Sequence, residues 1–253
     1  LYGAYLKANY PLEYYTVILN KYSDDTEKTR KIRQELPYFD IKQATIKFRF
    51  SQSGYSFDKA TNTIYKGIAS IKYLNDKIAE QLYEIGKNQY NSFVDLLVDI
   101  TENTSCNSKQ IKILIALNFF KEFGENQMLM DVYEKFSDRY KKTHKEATKL
   151  KRLEEVVEFA TTCENKPMQL NLQIENELEY LGYIETKDET IPTDYVMVTE
   201  LENRFKNYTA TLYRVKDGTT AKIKIKAKDY NEDKFGKGDM IKLIQVNMEG
   251  RWK

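Results

Sequence analysis

Apolar side chains recur every three or four residues along most of the first two-thirds of the chain and change to a two-residue alternation after Pro192. The first regime predicts helices and the second predicts strands. Pro11 at a first turn starts one helix, and Ser23, Asp24 and Asp25 cap another that runs towards Leu36-Pro37. Ile46, Phe48 and Phe50 alternate with Lys47 and Arg49, the period of a half-buried strand, and Gly54 and Thr61-Asn62-Thr63 mark turns. From Lys66 the helical repeat returns through Ile68, Ile71, Ile78, Leu82 and Ile85, broken at Asn75-Asp76. Phe93, Leu96, Leu97 and Ile100 continue the core. Asn107-Ser108 caps an apolar helix through Leu117, a break spans Asn118 to Gly124, and a further helix runs from Asn126 to about Tyr140. Thr143 to about Cys163 is a long charged helix with Leu150, Leu153, Val157 and Ala160 as its buried seam. Leu170 to Leu181 is a last short helix, stopped by Gly182.

In the C-terminal stretch, Tyr195–Thr199, Tyr208–Val215, Thr219–Ala227 and Met240–Val246 are predicted strands. Lys216-Asp217-Gly218 is a hairpin turn signal between two of them. In residues 221–227 one face is Ala and Ile and the other is all lysine. Several short strands in about sixty residues suggest a small barrel or sandwich.

The 253 residues suffice for two or three small domains. Only 4 prolines and 10 glycines interrupt a chain that is 41% hydrophobic and 31% charged, which excludes collagenous and disordered classes. The net charge of +2 says little by itself, but residues 206–253 hold 12 Lys or Arg against 6 Asp or Glu. A second basic cluster runs through Arg139, Lys141, Lys142, Lys145, Lys149, Lys151 and Arg152. Such patches attract phosphate backbones, although most charge runs are solvated helix faces. Cys106 and Cys163 lie far apart and His144 is the single histidine, so no zinc set can be written and reduced thiols are expected. With no membrane-length apolar run, a cytoplasmic protein is the expectation, and the opening at Leu1 suggests a fragment of something longer.

Two-metal polymerase chemistry uses clustered carboxylates such as Asp-x-Asp, and none occurs here. Glu175-Asn176-Glu177 sits in a predicted helix, where the two acids diverge, and Glu200-Leu201-Glu202 is better explained as surface charge. No phosphate-gripping Gly-rich loop and no nucleophile–base arrangement is present. Binding chemistry remains. Lys222, Lys224 and Lys226 share a strand face in the same module as Tyr208, Tyr213 and Trp252. A basic surface with aromatic platforms holds single strands, while a lysine-faced edge strand can equally serve to block aggregation.

Residues 1–20 (LYGAYLKANYPLEYYTVILN) resemble a helical segment near the end of the fingers region in bacterial DNA polymerase III alpha subunits, the C-family DNA polymerases. LPYFDIK (36–42), SGYSFD (53–58) and IYKGIASIK (64–72) resemble the family's approach to its helix-hairpin-helix region. SFVDLLVDI (92–100) and NSKQIKILIALNFFKEFGENQMLM (107–130) resemble that region's second half. ENELEYLGY (175–183) is similar to the link that follows, and residues 209–227 with KGDMIKLIQV (237–246) resemble an OB-fold. Where the family carries Gly-hydrophobic-Gly in its first hairpin, this chain has Tyr73-Leu74-Asn75; in the second, Asn118 stands for a glycine and Lys121 for an acid.

The resemblance implies an α+β chain, mainly helical with tandem helix-hairpin-helix motifs over its N-terminal two-thirds, followed by a small all-β OB-like barrel. Its parts would be a fingers end (1–36), a helix-hairpin-helix domain (37–142), a helical linker (143–190) and an OB-fold-like domain (191–253). It implies DNA binding through hairpin residues Lys72, Tyr73, Leu74, Asn75, Lys77, Asn118, Lys121 and Gly124, and through Tyr208, Tyr213, Lys222, Lys224, Lys226 and Trp252 of the barrel. Partners would be duplex and single-stranded DNA, the rest of the polymerase and other replisome proteins, with no membrane. The parent would be a magnesium-dependent nucleotidyltransferase serving DNA replication, its catalytic carboxylates elsewhere and no cofactor in this segment. The alternative is a replisome interaction module whose degenerate hairpins leave DNA untouched.

Overall fold

The structure is a computed structural model that describes residues 2–204, 207–232 and 234–244. These divide into two compact units, residues 2–168 with 180–182, and residues 169–179 with 183–244.

The first unit opens with α1 (Tyr2–Asn9), α2 (Pro11–Lys21) and α3 (Thr26–Glu35). The Asp25 carboxylate caps α3 by accepting from the Lys28 amide over 3.0 Å. Tyr15, Leu19 and Leu36 pack with Ile41 and Ile64 in a small core of their own. Ile64 comes from a three-stranded sheet of order β1-β3-β2, made of β1 (Lys42–Ala44), β2 (Ser56–Asp58) and β3 (Thr63–Tyr65). β1 runs parallel to β3, and β2 runs antiparallel to it.

Ile46–Phe50 is not a strand. The amides of Phe50 and Ser51 both donate to the Lys47 carbonyl, which closes a turn, and Arg49 lies in the left-handed region at φ 72°. The apolar alternation survives only as far as Ile46 and Phe48, which are buried, whereas Phe50 is exposed. What replaces the ladder is a single tie, the Phe48 amide donating to the Phe119 carbonyl over 2.9 Å. Around Phe48 the rings of Phe119, Phe120 and Phe123 lie at centroid distances of 5.7, 5.6 and 6.2 Å.

The main core belongs to α4 (Asp76–Ile85), α5 (Phe93–Asn103), α6 (Ser108–Ala116), α7 (Asn126–Arg139) and α8 (Glu146–Thr162). Asn75, Ser92 and Asn107 cap the first three through side-chain oxygens. Leu82, Leu96, Leu97, Leu114 and Phe120 are fully buried, each such side chain contributing about 1.5–3 kcal/mol by leaving water. α8 buries a different stripe from the expected one. Val156 is its buried residue, with Leu153, Phe159 and Ala160 packed against the core, whereas Leu150 and Val157 are exposed. At its start Lys149 reaches Glu102 of α5 over 3.0 Å, and Glu102 also accepts from Tyr140.

The chain then enters α9 (Leu170–Leu181). In the second unit, Ile174 packs with Met197, Tyr213 and Val215. Glu177 is buried and fully engaged, accepting from the Gln173 side chain, the amides of Glu185 and Thr186, and the Thr186 hydroxyl at 2.5–2.9 Å. The sheet consists of β4 (Tyr195–Arg204), β5 (Asn207–Arg214), β6 (Thr220–Lys226) and β7 (Met240–Lys242), with α10 (Ala227–Glu232) following β6. Every pairing is antiparallel in the order β6-β5-β4-β7. The β5–β6 turn has Gly218 at φ 77°, and Asp217 accepts from the Thr219 amide and hydroxyl. Those hydrogen bonds hold the Asp217 carboxyl down at about 2.

The α+β class expected from the sequence holds, with a predominantly helical first part. The β module departs from a barrel, being an open four-stranded sheet among the described residues. β7 is only three residues long and pairs with the first three of β4, so the two edges stay apart in the ladder. The expected continuation of β7 to Val246 lies outside the described residues.

Candidate functional site

The first bend is built by a switch of backbone region at consecutive residues. Ile71 and Leu74 anchor it from the core, and the Leu74 amide donates to the Ile71 carbonyl over 3.0 Å. Between them Tyr73 has φ 73°, a conformation that costs a residue with Cβ about 1–2 kcal/mol and that glycine adopts freely. Asn75 is extended and caps α4, its side chain accepting from the Ile78 amide over 3.0 Å. Just before the bend, Gly67 is obligatory for space, because a Cβ there would lie 2.4 Å from the Ser53 carbonyl oxygen.

Lys72, Tyr73, Asn75, Asp76 and Lys77 are all exposed, so the bend faces solvent. Among the described residues the amides of Tyr73, Asn75, Asp76 and Lys77 make no hydrogen bond. They stand at and just before the start of α4, where the helix dipole is positive. Leu74, also of the expected hairpin set, turns its side chain into the core as the apolar anchor of the turn. Asp76 is the single acid in the bend, and its carboxylate accepts from the Ser53 hydroxyl.

Two side chains overlooked in the sequence complete this surface. The Lys109 ammonium, from the first turn of α6, sits 3.2 Å from the Tyr73 ring centroid, and the Lys72 ammonium sits 5.0 Å from the same centroid. Gln110 donates to the Tyr73 carbonyl over 3.0 Å. The Lys72 amide donates to the Tyr180 carbonyl, and the Tyr180 ring meets Tyr73 edge-on at 6.4 Å. The cap at Asn107 was legible as the start of a helix; that this start abuts the first bend is a tertiary fact without local signature.

The second bend follows α6. Asn118, at φ 59°, takes the left-handed C-terminal position, with the Phe119 amide donating to Leu114 and the Asn118 amide to Ile115. Phe119 and Phe120 then plunge into the aromatic core. Gly124 has φ 146°, and a Cβ there would lie 2.2 Å from the Met128 methyl carbon. Lys121 is exposed but already paired with Glu125 one turn on. Arg49 braces the region, donating to the Gly86 and Asn88 carbonyls at 2.7 and 2.6 Å and to Glu122 at 2.8 Å.

In the second unit the alternation expected for β6 is observed, with Lys222, Lys224 and Lys226 exposed and Ile223 and Ile225 facing a core with Leu212 and Phe235. The aromatic partners expected beside these lysines are not brought there. Tyr208 pairs in register with Ile225, on the apolar face, and its ring stacks 3.9 Å from Tyr230. Tyr213 is buried against Ile174, and its hydroxyl donates to the Thr186 carbonyl over 2.7 Å. The period of two explains Tyr208, and coverage by α9 explains Tyr213. Trp252 lies outside the described residues. Acids flank the lysines instead. Lys222 is 3.9 Å from Glu200, and Glu202 stands in register beyond Thr209 from Lys224.

Among the described residues no group of three or more His, Cys, Asp or Glu side chains is arranged to hold a metal ion. Burial pushes the Cys106 thiol up to about 12, which leaves it a weak nucleophile. No helix among the described residues is long and apolar enough to cross a membrane.

Comparison with known proteins agrees with this geometry. Residues 37–130 match the helix-hairpin-helix motif family, and that span contains both bends. DNA polymerase III subunit alpha of Saccharopolyspora erythraea is 28% identical over 127 residues, 49% of this chain and 10% of the relative. The same subunit of Chlamydia muridarum is 28% identical over 141 residues, 53% of this chain and 11% of the relative. That of Ureaplasma parvum is 28% identical over 131 residues, covering 50% and 13%. These three relatives are all DNA polymerase III alpha subunits. The chain spans about a tenth of the length of these polymerase relatives. At Tyr73, where the resemblance implies a glycine, the backbone lies in the left-handed region at φ 73°.

Proposed function

We propose that this chain is a DNA-holding region of a replicative DNA polymerase III alpha subunit. In this reading residues 37–142 grip duplex through the two bends and residues 191–253 steer the template strand along the lysine face. Nucleotidyl transfer with magnesium would belong to residues other than these. The observation that carries the reading is the first bend, where amides without internal partners open to solvent between Lys72 and Lys77. Unpaired N–H groups and a helix start favour a phosphate, and a lysine on either side adds charge.

Fluorescence anisotropy with single-stranded, duplex and primer–template DNA at several salt concentrations tests it. Duplex affinity is expected to fall log-linearly with salt, by roughly 0.9 in slope for each phosphate neutralised. Gln at Lys72 and Lys77 should weaken duplex binding, and Gln at Lys222, Lys224 and Lys226 should weaken single-strand binding. Binding that ignores salt and these substitutions would overturn the reading.

A second reading, an interaction module for other replisome proteins, draws on the pairing of Lys121 with Glu125 and on the acids beside the lysine face. It requires negligible DNA binding by the intact chain in the same assay.

A further inference from the structure

We propose that Lys109 is a third phosphate-contacting cation of the first bend, held in place by the Tyr73 ring acting as a positioning residue. The proposal rests on the duplex-binding reading of that bend and adds to it a residue from the other motif.

Lys109 is the second residue of α6, after the Asn107 cap. A cation there opposes the helix dipole, so α6 itself gives no reason for a lysine. Nor does an acid attract it, because among the described residues Lys109 has no ion-pair partner. Its ammonium lies instead 3.2 Å from the Tyr73 ring centroid, the attraction expected of a cation over an aromatic face. Lys72 approaches the same ring to 5.0 Å and likewise has no carboxylate beside it. Two like charges thus converge on one exposed ring, and the local acid, Asp76, which accepts from the Ser53 hydroxyl, forms an ion pair with neither lysine among the described residues. That arrangement is short of negative charge. A backbone phosphate would relieve the repulsion and take charge-assisted hydrogen bonds from the ammonium groups.

Tyr73 is tied twice, once through its backbone carbonyl and once through its ring. Gln110, the neighbour of Lys109, donates to the Tyr73 carbonyl, and Tyr180 meets the ring edge-on. The ring of Tyr73, whose backbone lies at φ 73°, reaches Lys109 of α6. A glycine at this position would give the same bend without the post.

The test uses the intact chain, a fluorescein-labelled duplex of mixed sequence and a salt titration. Lys109→Gln is expected to weaken duplex binding several-fold at low salt and to flatten the slope of log K against log salt by about 0.9, the loss of one phosphate contact. Its melting temperature should stay unchanged, since the side chain is exposed. Tyr73→Phe should retain both affinity and slope, while Tyr73→Leu should reproduce the Lys109→Gln slope even where its fold is intact by circular dichroism. If Lys109→Gln leaves slope and affinity unaltered while Lys72→Gln and Lys77→Gln lower them, the proposal falls and the bend reading stands. If the unsubstituted chain shows no salt-dependent duplex binding, both fall.

Discussion

Gln110 joins the two motifs, its side-chain nitrogen donating to the Tyr73 carbonyl over 3.0 Å while its oxygen accepts from the Asn107 amide over 2.9 Å. One buried amide therefore closes the capping box of α6 and braces the first bend. Gln110→Glu keeps the acceptor and loses the donor, leaving a carboxylate facing a carbonyl oxygen. It should cost about 1–3 kcal/mol, the range for a disrupted buried hydrogen bond. Gln110→Ala loses both bonds and should cost at least as much. Urea midpoints of the two variants check the order, and a neutral Gln110→Glu would mean that the Tyr73 carbonyl is satisfied by water.

Asn118 closes α6 at φ 59°. Asn118→Gly should leave the chain as stable or raise its stability by up to about 1 kcal/mol, because glycine enters the left-handed region without strain. Asn118→Ala should lower stability by about 1 kcal/mol. Thermal unfolding distinguishes them, and equal values would show that the asparagine side chain contributes an unseen bond.

Arg49 converts one side chain into three anchors, two carbonyls beyond α4 and the carboxylate of Glu122. Arg49→Lys retains charge but not the planar fork, and it should cost about 1–2 kcal/mol. Faster amide hydrogen exchange in the last turn of α4 would accompany the loss. Unchanged protection there would place the clamp's value elsewhere.

Burial first, then the negative charges of Glu177 and Asp217, push the Tyr213 phenol from 10.0 up to about 12. A folded value above the unfolded one means that the associated stability is fully present below pH 10 and is lost as the pH rises towards 12. The wild-type chain should therefore destabilise across that window, this one group accounting for at most about 1.4 kcal/mol per pH unit. Tyr213→Phe should be about 1 kcal/mol less stable at pH 8, through the missing bond to Thr186. Its curve should meet the wild type's above pH 10 and lie above it towards pH 12, as followed by melting temperature between pH 8 and 12. Parallel curves would assign the alkaline loss to other tyrosines.

Local signals in the sequence were reliable where the structure is locally determined. The caps at Asp25 and Asn107, the Asp217-Gly218 hairpin and the Lys/Ile alternation of β6 are all found. Ile46–Phe50 had the right alternation for a strand, but the Phe48 tie to Phe119 pulls it into a turn, a competitor 71 positions away that no window contains. On α8 two apolar stripes compete at helical spacing, and packing against the core selects Leu153, Val156, Phe159 and Ala160 over Leu150 and Val157. In the candidate site, Tyr73 and Asn118 were legible as residues in glycine's place, and both have positive φ. Lys109 was not, because its relevance exists only once α6 lies against the first bend.

The phenyl rings around Phe48 carry a mechanical implication. The first bend rests on Ile71 and Leu74, and the second on Phe119 and Phe120, all within one packed cluster. Interiors packed to this density resist compression, so the separation of the bends is a fixed gauge rather than an adjustable one. Any substitution that thickens or thins the ring stack would change the span between two solvent-facing turns at once, while leaving each turn's own geometry intact.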